Sequence, residues 1–282
     1  MTDPGGAEPQ RCYRHPDRDA YIRCQRCERL ICPECMRDAS VGFQCPSCIA
    51  EGAKTVRVPR TRAGAVAGVP TGAVTTALIV VNVVAYLLVD GLRLTDVKRE
   101  GVLTAGGIYQ HEYWRLLTSA FLHYGPLHLL LNMLALYLFG TYVEQVLGTW
   151  RYLATYLLTA VTASAVVYLL APVGVQTAGA SGAISGLFAI AFLLALRAGQ
   201  DVRSFLVLIV INVVLSARDG VSWEAHLGGF VAGAILGAAF AYAPRTQRAL
   251  WQGAAFGALV LGSLAMIAWR TQDISQTYIF AG

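Results

Sequence analysis

The sequence predicts an all-α polytopic membrane protein with a small metal-stabilised domain at its N-terminus. Three observations predict it. Hydrophobic residues make up 56% of the 282 positions and charged residues only 14%, with a mean hydropathy of +0.52; soluble domains are about a quarter charged. Residues 152–196 contain no Asp, Glu, Lys or Arg. All seven Cys lie at or before Cys48, and half of the 22 Lys and Arg lie at or before Arg62. The two ends of the chain therefore face different solvents.

The N-terminal residues 1–11 are polar and lack an apolar core, so no cleavable signal peptide is expected. Residues 1–53 hold Cys12-x2-His15, Cys24-x2-Cys27, Cys32-x2-Cys35 and Cys45-x2-Cys48. Seven Cys and one His give eight ligands, enough for two closed tetrahedral Zn2+ sites. An odd Cys number and a cytosolic setting argue against disulfides. Filled coordination leaves no open position for zinc catalysis. With few apolar residues, the head is expected to fold with its metal and to bind a cytosolic partner whose identity the sequence does not give. The spacing resembles a B-box-type zinc finger. That resemblance implies interleaved pairing: Cys12, His15, Cys32 and Cys35 on one ion, Cys24, Cys27, Cys45 and Cys48 on the other. Sequential pairing is the alternative. Residues 54–68 read as a basic linker, with Lys54, Arg57, Arg60 and Arg62 beside the anionic inner leaflet.

About 20 apolar residues cross a bilayer. Candidate spans are 69–89, 127–147, 151–170, 181–196, 205–216, 221–243 and 250–269, seven in all. The uncharged block is too long for one span, and Ala171-Pro172-Val173-Gly174 breaks it. The fifth candidate is short, and Arg203 and Arg218 can snorkel to extend it. Basic residues before span one, and Arg151, Arg197, Arg203, Arg245 and Arg248, put the N-terminus in the cytoplasm and the C-terminus outside. The expected location is the cell membrane. The net charge of +5 bears on this topology, and no nucleic-acid partner is expected. The loop 90–115 is long enough to have structure of its own. Tyr113-Trp114-Arg115 near its end suits an interfacial anchor.

Four polar residues on three spans then reach one level. Ser181 begins span four, His226 lies near the start of span six, and His128 and Asn132 share a face of span two. All three spans begin outside in this topology. Buried polar groups in a membrane face one another or water. A serine hydroxyl needs a base, and a histidine supplies one near neutral pH. His128, Asn132 and the Ser181 backbone N–H can donate to the oxyanion of a tetrahedral intermediate; the His128–Asn132 pair can also simply bond helices together. Glu224 is two residues from His226 and points elsewhere on a helix, so a dyad is predicted. Ser185 is the other candidate nucleophile, without the Gly-x-Ser-Gly turn. Gly182 and Gly186, and Gly229, Gly233 and Gly237, form small-residue stripes that permit close helix approach.

Trp114-Arg115, His123-x4-His128-x3-Asn132, Gly179-Ala180-Ser181-Gly182 and Ala225-His226-x2-Gly229 together resemble the rhomboid family of intramembrane serine proteases. The resemblance covers residues 69–243 and implies a six-helix core, here with an added C-terminal helix in 244–282. It implies Ser181 as nucleophile, His226 as base, and His128 and Asn132 as the oxyanion pair. It implies cleavage of transmembrane protein substrates in the lipid bilayer near the outer face, with no cofactor for catalysis. Glu144, Gly148 and Arg151 match a family pattern of structural role. The chain departs from the family at Ser185, where many members carry an aromatic ring against the catalytic histidine. The alternative function is a non-catalytic relative that binds membrane clients.

Overall fold

The chain divides after Pro59 into two units, Met1–Pro59 and Arg60–Gly282, in a computed structural model that describes residues 10–56, 60–61, 63–66, 72–216, 218 and 220–279. In the first unit, β1 (Ile22–Arg23) pairs antiparallel with β2 (Leu30–Ile31), and β3 (Arg37–Asp38) with β4 (Phe43–Gln44). Helix α1 (Pro46–Thr55) follows. Pro46 suits its first turn, where a missing N–H costs nothing. Cys45 Sγ caps it, accepting from the Cys48 N–H at 3.3 Å. The core of this unit is Ala20, Ile31 and the cysteines, edged by Tyr13, Leu30, Met36 and Phe43. So few apolar side chains do not offset the entropy of ordering the chain.

The second unit is a helical bundle that spans a membrane. Helix α2 (Ala73–Tyr86) ends in a π turn, Leu87–Gly91. Short helices α3 (Thr95–Gly101), α4 (Ala105–Tyr109) and α5 (Arg115–Thr118) follow, with β5 (Leu103–Thr104) among them. Helix α6 (Pro126–Ala135) runs through a second π turn, Leu136–Gly140, into α7 (Thr141–Leu147). Gly148 then adopts φ 78°, which favours glycine, and turns the chain into α8 (Thr149–Leu170). After β6 (Gln176–Thr177) come α9 (Ser181–Arg197), α10 (Arg203–Ser216), α11 (Trp223–Tyr242) and α12 (Arg248–Ile279). Among the described residues the fold is thus helical, with strands of two residues only. Among the described residues, five segments are long and apolar enough to cross a membrane: Ala73–Gly91, Pro126–Leu147, Thr149–Leu170, Trp223–Tyr242 and Arg248–Thr277. The apolar helices α9 and α10 are shorter. At 1.5 Å per residue α9 is about 26 Å long, and it is buried along most of its length.

Three expectations change. The seventh helix extends past residue 269, because Arg270 pairs with Asp273 and Thr277 bonds the Asp273 carbonyl, keeping the polar turns helical. The basic linker is partly built into the membrane unit. Arg60 and Val66 form an antiparallel bridge, Thr61 Oγ1 donates to the Val146 carbonyl at 2.7 Å, and buried Ala63 accepts from Gln252 Nε2 at 3.3 Å. Lys54 and Thr55 instead close helix α1, while Arg57, Arg62 and the expected start of span one at Val69 lie outside the described residues. Finally, Arg115 is no interfacial anchor. Its guanidinium is buried, donating to Glu112 Oε2 at 2.6 Å and to the carbonyls of Arg99 and Val102 at 2.7 and 2.8 Å. Charge-assisted bonds to three partners hold it inside the loop. Trp114, next to it, remains exposed, its Nε1–H reaching the Glu100 carbonyl at 3.3 Å.

That loop positions the site. Its strand β5 pairs antiparallel with β6, Leu103 opposite Thr177 and Thr104 opposite Gln176. The Gly179 N–H then bonds the Ser119 carbonyl at 2.9 Å. The segment leading into α9 is therefore fixed from outside the bundle, two residues before Ser181.

Candidate active site and metal clusters

Ser181 is the first residue of α9. Its neighbour Gly182 packs on α11: a Cβ there would lie 3.3 Å from the Ala225 carbonyl and 2.8 Å from Ala163 Cβ. Ala225 immediately precedes His226, so the two turns that carry Ser181 and His226 touch backbone to backbone. Gly186 repeats the contact one turn on, against the Gly229 carbonyl at 3.0 Å. The stripes predicted to allow close approach do so.

Ser181, His226, His128 and Asn132 line one cavity of about 1390 Å³, with Gly179, Ser185 and Asn212 also on its wall. Asn132 is buried, and Ser181, His128 and His226 are half-buried. One of the two Asn132 amide hydrogens bonds the His128 carbonyl at 2.8 Å, leaving the other free to donate. The His128 ring stacks on Tyr124, centroids 6.1 Å apart, and its Nδ1 faces the Tyr124 N–H at 3.5 Å. With Nδ1 accepting there, a neutral ring carries its proton on Nε2. Beside Gly179 (φ 135°) a Cβ would fall 2.9 Å from His128 Nε2 and 3.7 Å from Ser181 Oγ. Because residue 179 has no side chain, an open point remains between a ring N–H and a serine hydroxyl.

His226 Nδ1 lies 2.6 Å from Ser216 Oγ at the end of α10. Nothing in the local sequence pattern marks Ser216, the last residue of a short apolar segment. Glu224 does not serve His226. Its carboxylate accepts from Ser222 Oγ at 2.9 Å at the N-terminus of α11, as the helix spacing predicted. Ser185 is buried on the cavity wall, four residues into α9. His123 is buried, its ring 5.1 Å from that of His128. Burial foremost, then His128, pushes its pKa down to about 4. Glu144 is fully buried and caps α2, accepting from the N–H groups of Val74 and Thr75 at 3.2 and 2.9 Å and from Thr75 Oγ1 at 2.7 Å.

In the first unit the eight candidate ligands form two clusters, Cys12–His15–Cys32–Cys35 and Cys24–Cys27–Cys45–Cys48, each with its ligand atoms within 4.8 Å of one another. The grouping is the interleaved one. A tetrahedral zinc with bonds of about 2.3 Å has ligand–ligand edges of about 3.8 Å. The observed separations match: 3.7 Å from Cys27 Sγ to Cys45 Sγ, 3.4 Å from His15 Nδ1 to Cys32 and Cys35 Sγ, and 4.0 Å to Cys12 Sγ. Cys24 Sγ accepts the Cys45 N–H at 3.2 Å, and Cys27 Sγ the Arg29 Nε–H at 3.4 Å. Burial raises the Cys24 thiol, but backbone N–H groups of Cys45, Arg26 and Cys27 outweigh it and bring it to about 6. The ligand separations and the N–H groups aimed at sulfur thus fit metal-bound thiolates.

Residues 110–243 match the Rhomboid domain family model. The chain is 34% identical over 167 residues to "Rhomboid protease GluP" of Bacillus subtilis (strain 168), covering 57% of this chain but 31% of that protein. It is 32% identical over 136 residues to "Putative rhomboid protease YdcA" of the same organism, covering 46% of this chain and 68% of that protein. "Rhomboid-like protease 3" of Toxoplasma gondii is 31% identical over 145 residues, with 55% of its length covered. The chain thus spans about a third of the first relative and about two thirds of the second. Matched across its helical core and over most of one relative, the chain belongs to the rhomboid family.

Proposed function

We propose that the protein is an intramembrane serine endopeptidase that cleaves transmembrane protein substrates through a Ser181–His226 dyad. The observation that carries this is the shared cavity: a helix-initiating serine, two imidazoles and an amide from three helices line one space in an apolar bundle. Relatives named as proteases support the same class. In the reaction Ser181 Oγ attacks the scissile carbonyl carbon while His226 takes its proton. The carbonyl oxygen becomes an oxyanion that receives hydrogen bonds from His128 Nε2–H, Asn132 Nδ2–H and the Ser181 N–H. The C–N bond breaks as His226 passes the proton to the leaving amine. Water then attacks the acyl-enzyme, with His226 again as base, and releases the acid.

All seven apolar helices among the described residues cross the bilayer in this reading, with the N-terminus cytoplasmic and the cut near the outer face. Basic residues at the opposite ends of the helices from Ser181 and His226 support it. The head is a B-box-like module holding two structural Zn2+ ions through Cys12, His15, Cys32 and Cys35, and through Cys24, Cys27, Cys45 and Cys48. It serves to bind a cytosolic partner.

The test uses the full chain in lipid vesicles, with a model transmembrane substrate and a fluorophosphonate probe. Wild type is expected to cleave the substrate and to carry the probe on Ser181, and Ser181→Ala to do neither. Equal cleavage by both would overturn the protease reading. Substrate binding without cleavage or labelling would identify a client-binding relative instead.

A further inference from the structure

We propose that Ser216 is a positioning residue that fixes His226 in the tautomer protonated at Nδ1, leaving Nε2 as the basic nitrogen. This rests on the reading of Ser181 and His226 as a dyad. The argument is a count of hydrogens. A serine hydroxyl carries one. Ser216 Oγ lies 2.7 Å from the Asn212 carbonyl one turn back on α10, and 2.6 Å from His226 Nδ1. A carbonyl oxygen only accepts, so the Ser216 hydrogen goes to Asn212 O. The short contact to His226 then needs a hydrogen from the ring, and Nδ1 donates it. The reverse arrangement, Ser216 donating to Nδ1, gives up the bond to Asn212 O and satisfies one hydrogen bond fewer.

A neutral imidazole holds one ring proton. With that proton on Nδ1, the lone pair is on Nε2, which has no hydrogen-bond partner among the described residues and belongs to a residue on the cavity wall. A base that takes the Ser181 proton needs this form; the other tautomer would present an N–H. His128 is set the opposite way, Nδ1 toward the Tyr124 N–H and its proton on Nε2. The two rings of the cavity are thus held as one acceptor and one donor. The bond also ties the largely exposed helix α10 to α11. At its other end α10 is held by Phe205, whose ring packs on Phe188 and Phe192 at 5.7 and 6.0 Å.

The direct test is 15N NMR of the full-length protein labelled at histidine, at a pH where the rings are neutral, with His226→Asn used to assign the signal. Wild type is expected to show His226 with a protonated Nδ1 and an unprotonated Nε2. An Nε2–H ring in wild type overturns the proposal. The kinetic test measures cleavage and the rate of fluorophosphonate capture by Ser181. Ser216→Ala is expected to lower kcat about 10–100-fold, the scale seen when the partner that orients a metal-ligating histidine is removed, with KM unchanged. Ser216→Thr keeps the hydroxyl and the bond to Asn212 O, and is expected to restore most of kcat. Ser216→Ala turning over at the wild-type rate overturns the proposal, as does a folded Ser216→Thr protein as slow as Ser216→Ala. If Ser216→Ala does not fold, the wild-type tautomer and the threonine variant decide. Wild type that fails to react at Ser181 removes the protease reading, while the tautomer measurement still judges Ser216 separately.

Discussion

Gly182 on α9 and Gly229 on α11 face each other with no room for a side chain. A Cβ on Gly229 would overlap the Gly182 carbonyl, and a Cβ on Gly233 the Gly186 carbonyl. Neither clash can be relieved by turning a side chain, because the obstacle is backbone. The geometry of the proposed active site depends on this pair: Ser181 precedes one member and His226 lies three residues before the other.

Gly229→Ala should therefore separate α9 from α11 rather than merely crowd them. The expected outcome is loss of probe capture at Ser181 together with a fall in thermal stability of a few kcal/mol, the scale of overpacking. Gly262→Ala, where a Cβ meets nothing within 4 Å on α12, is the control and should leave both unchanged. Probe capture and melting temperature in the same detergent check the pair.

Glu144 is a buried carboxylate that serves as an N-cap across two helices. It gathers Val74 N–H, Thr75 N–H and Thr75 Oγ1–H at the start of α2. Glu144→Ala leaves those donors without an acceptor where no other is at hand. Each unsatisfied buried donor costs about 1–3 kcal/mol, so melting should drop sharply. Glu144→Gln keeps one oxygen and should fall between the two. A melting point for Glu144→Ala equal to wild type would contradict the cap.

The two head clusters predict a metal stoichiometry. Full-length protein should carry two zinc ions per chain, and a chelator strong enough to strip them should unfold the head. Cys12→Ser with Cys35→Ser removes two ligands of one interleaved cluster and should leave one ion. Under sequential pairing the same double change would damage both sites and leave none. Metal analysis of the purified variants separates the two.

How much of this was legible in the sequence depends on the range of the interaction. The long apolar helices and the break between α8 and α9 were, because Pro172 and the Arg residues at span ends act within a turn or two. So were the glycine stripes, whose spacing sets a helix face, and the meeting of Ser181, His226, His128 and Asn132 at one cavity. Arg115 suggests an anchor in sequence because exposed and buried arginines look alike next to Trp114. Only its bonds to Arg99 and Val102, more than ten residues away, distinguish them. Residues 60–66 looked like linker for the same reason: Thr61 meets Val146 and Ala63 meets Gln252 across the fold. Ser216 was invisible because its meaning comes from the return of α11 beside α10, which no local pattern encodes.

His123 lies in the loop before α6, buried, with neither ring nitrogen hydrogen-bonded. Burial first and the neighbouring His128 second lower its pKa to about 4 from 6.5. Folding therefore favours the neutral ring. Above pH 6.5 the folded and unfolded chains both hold it neutral, and its contribution to stability is fully present. As pH falls below 6.5 the unfolded chain takes up a proton that the folded protein refuses until about pH 4, so stability is lost across that window. The melting temperature should fall as pH is lowered from 6.5 to 4. His123→Phe, which replaces the ring with one that cannot titrate, should flatten that slope. An unchanged slope would assign the acid sensitivity to other groups and leave His123 a packing residue alone.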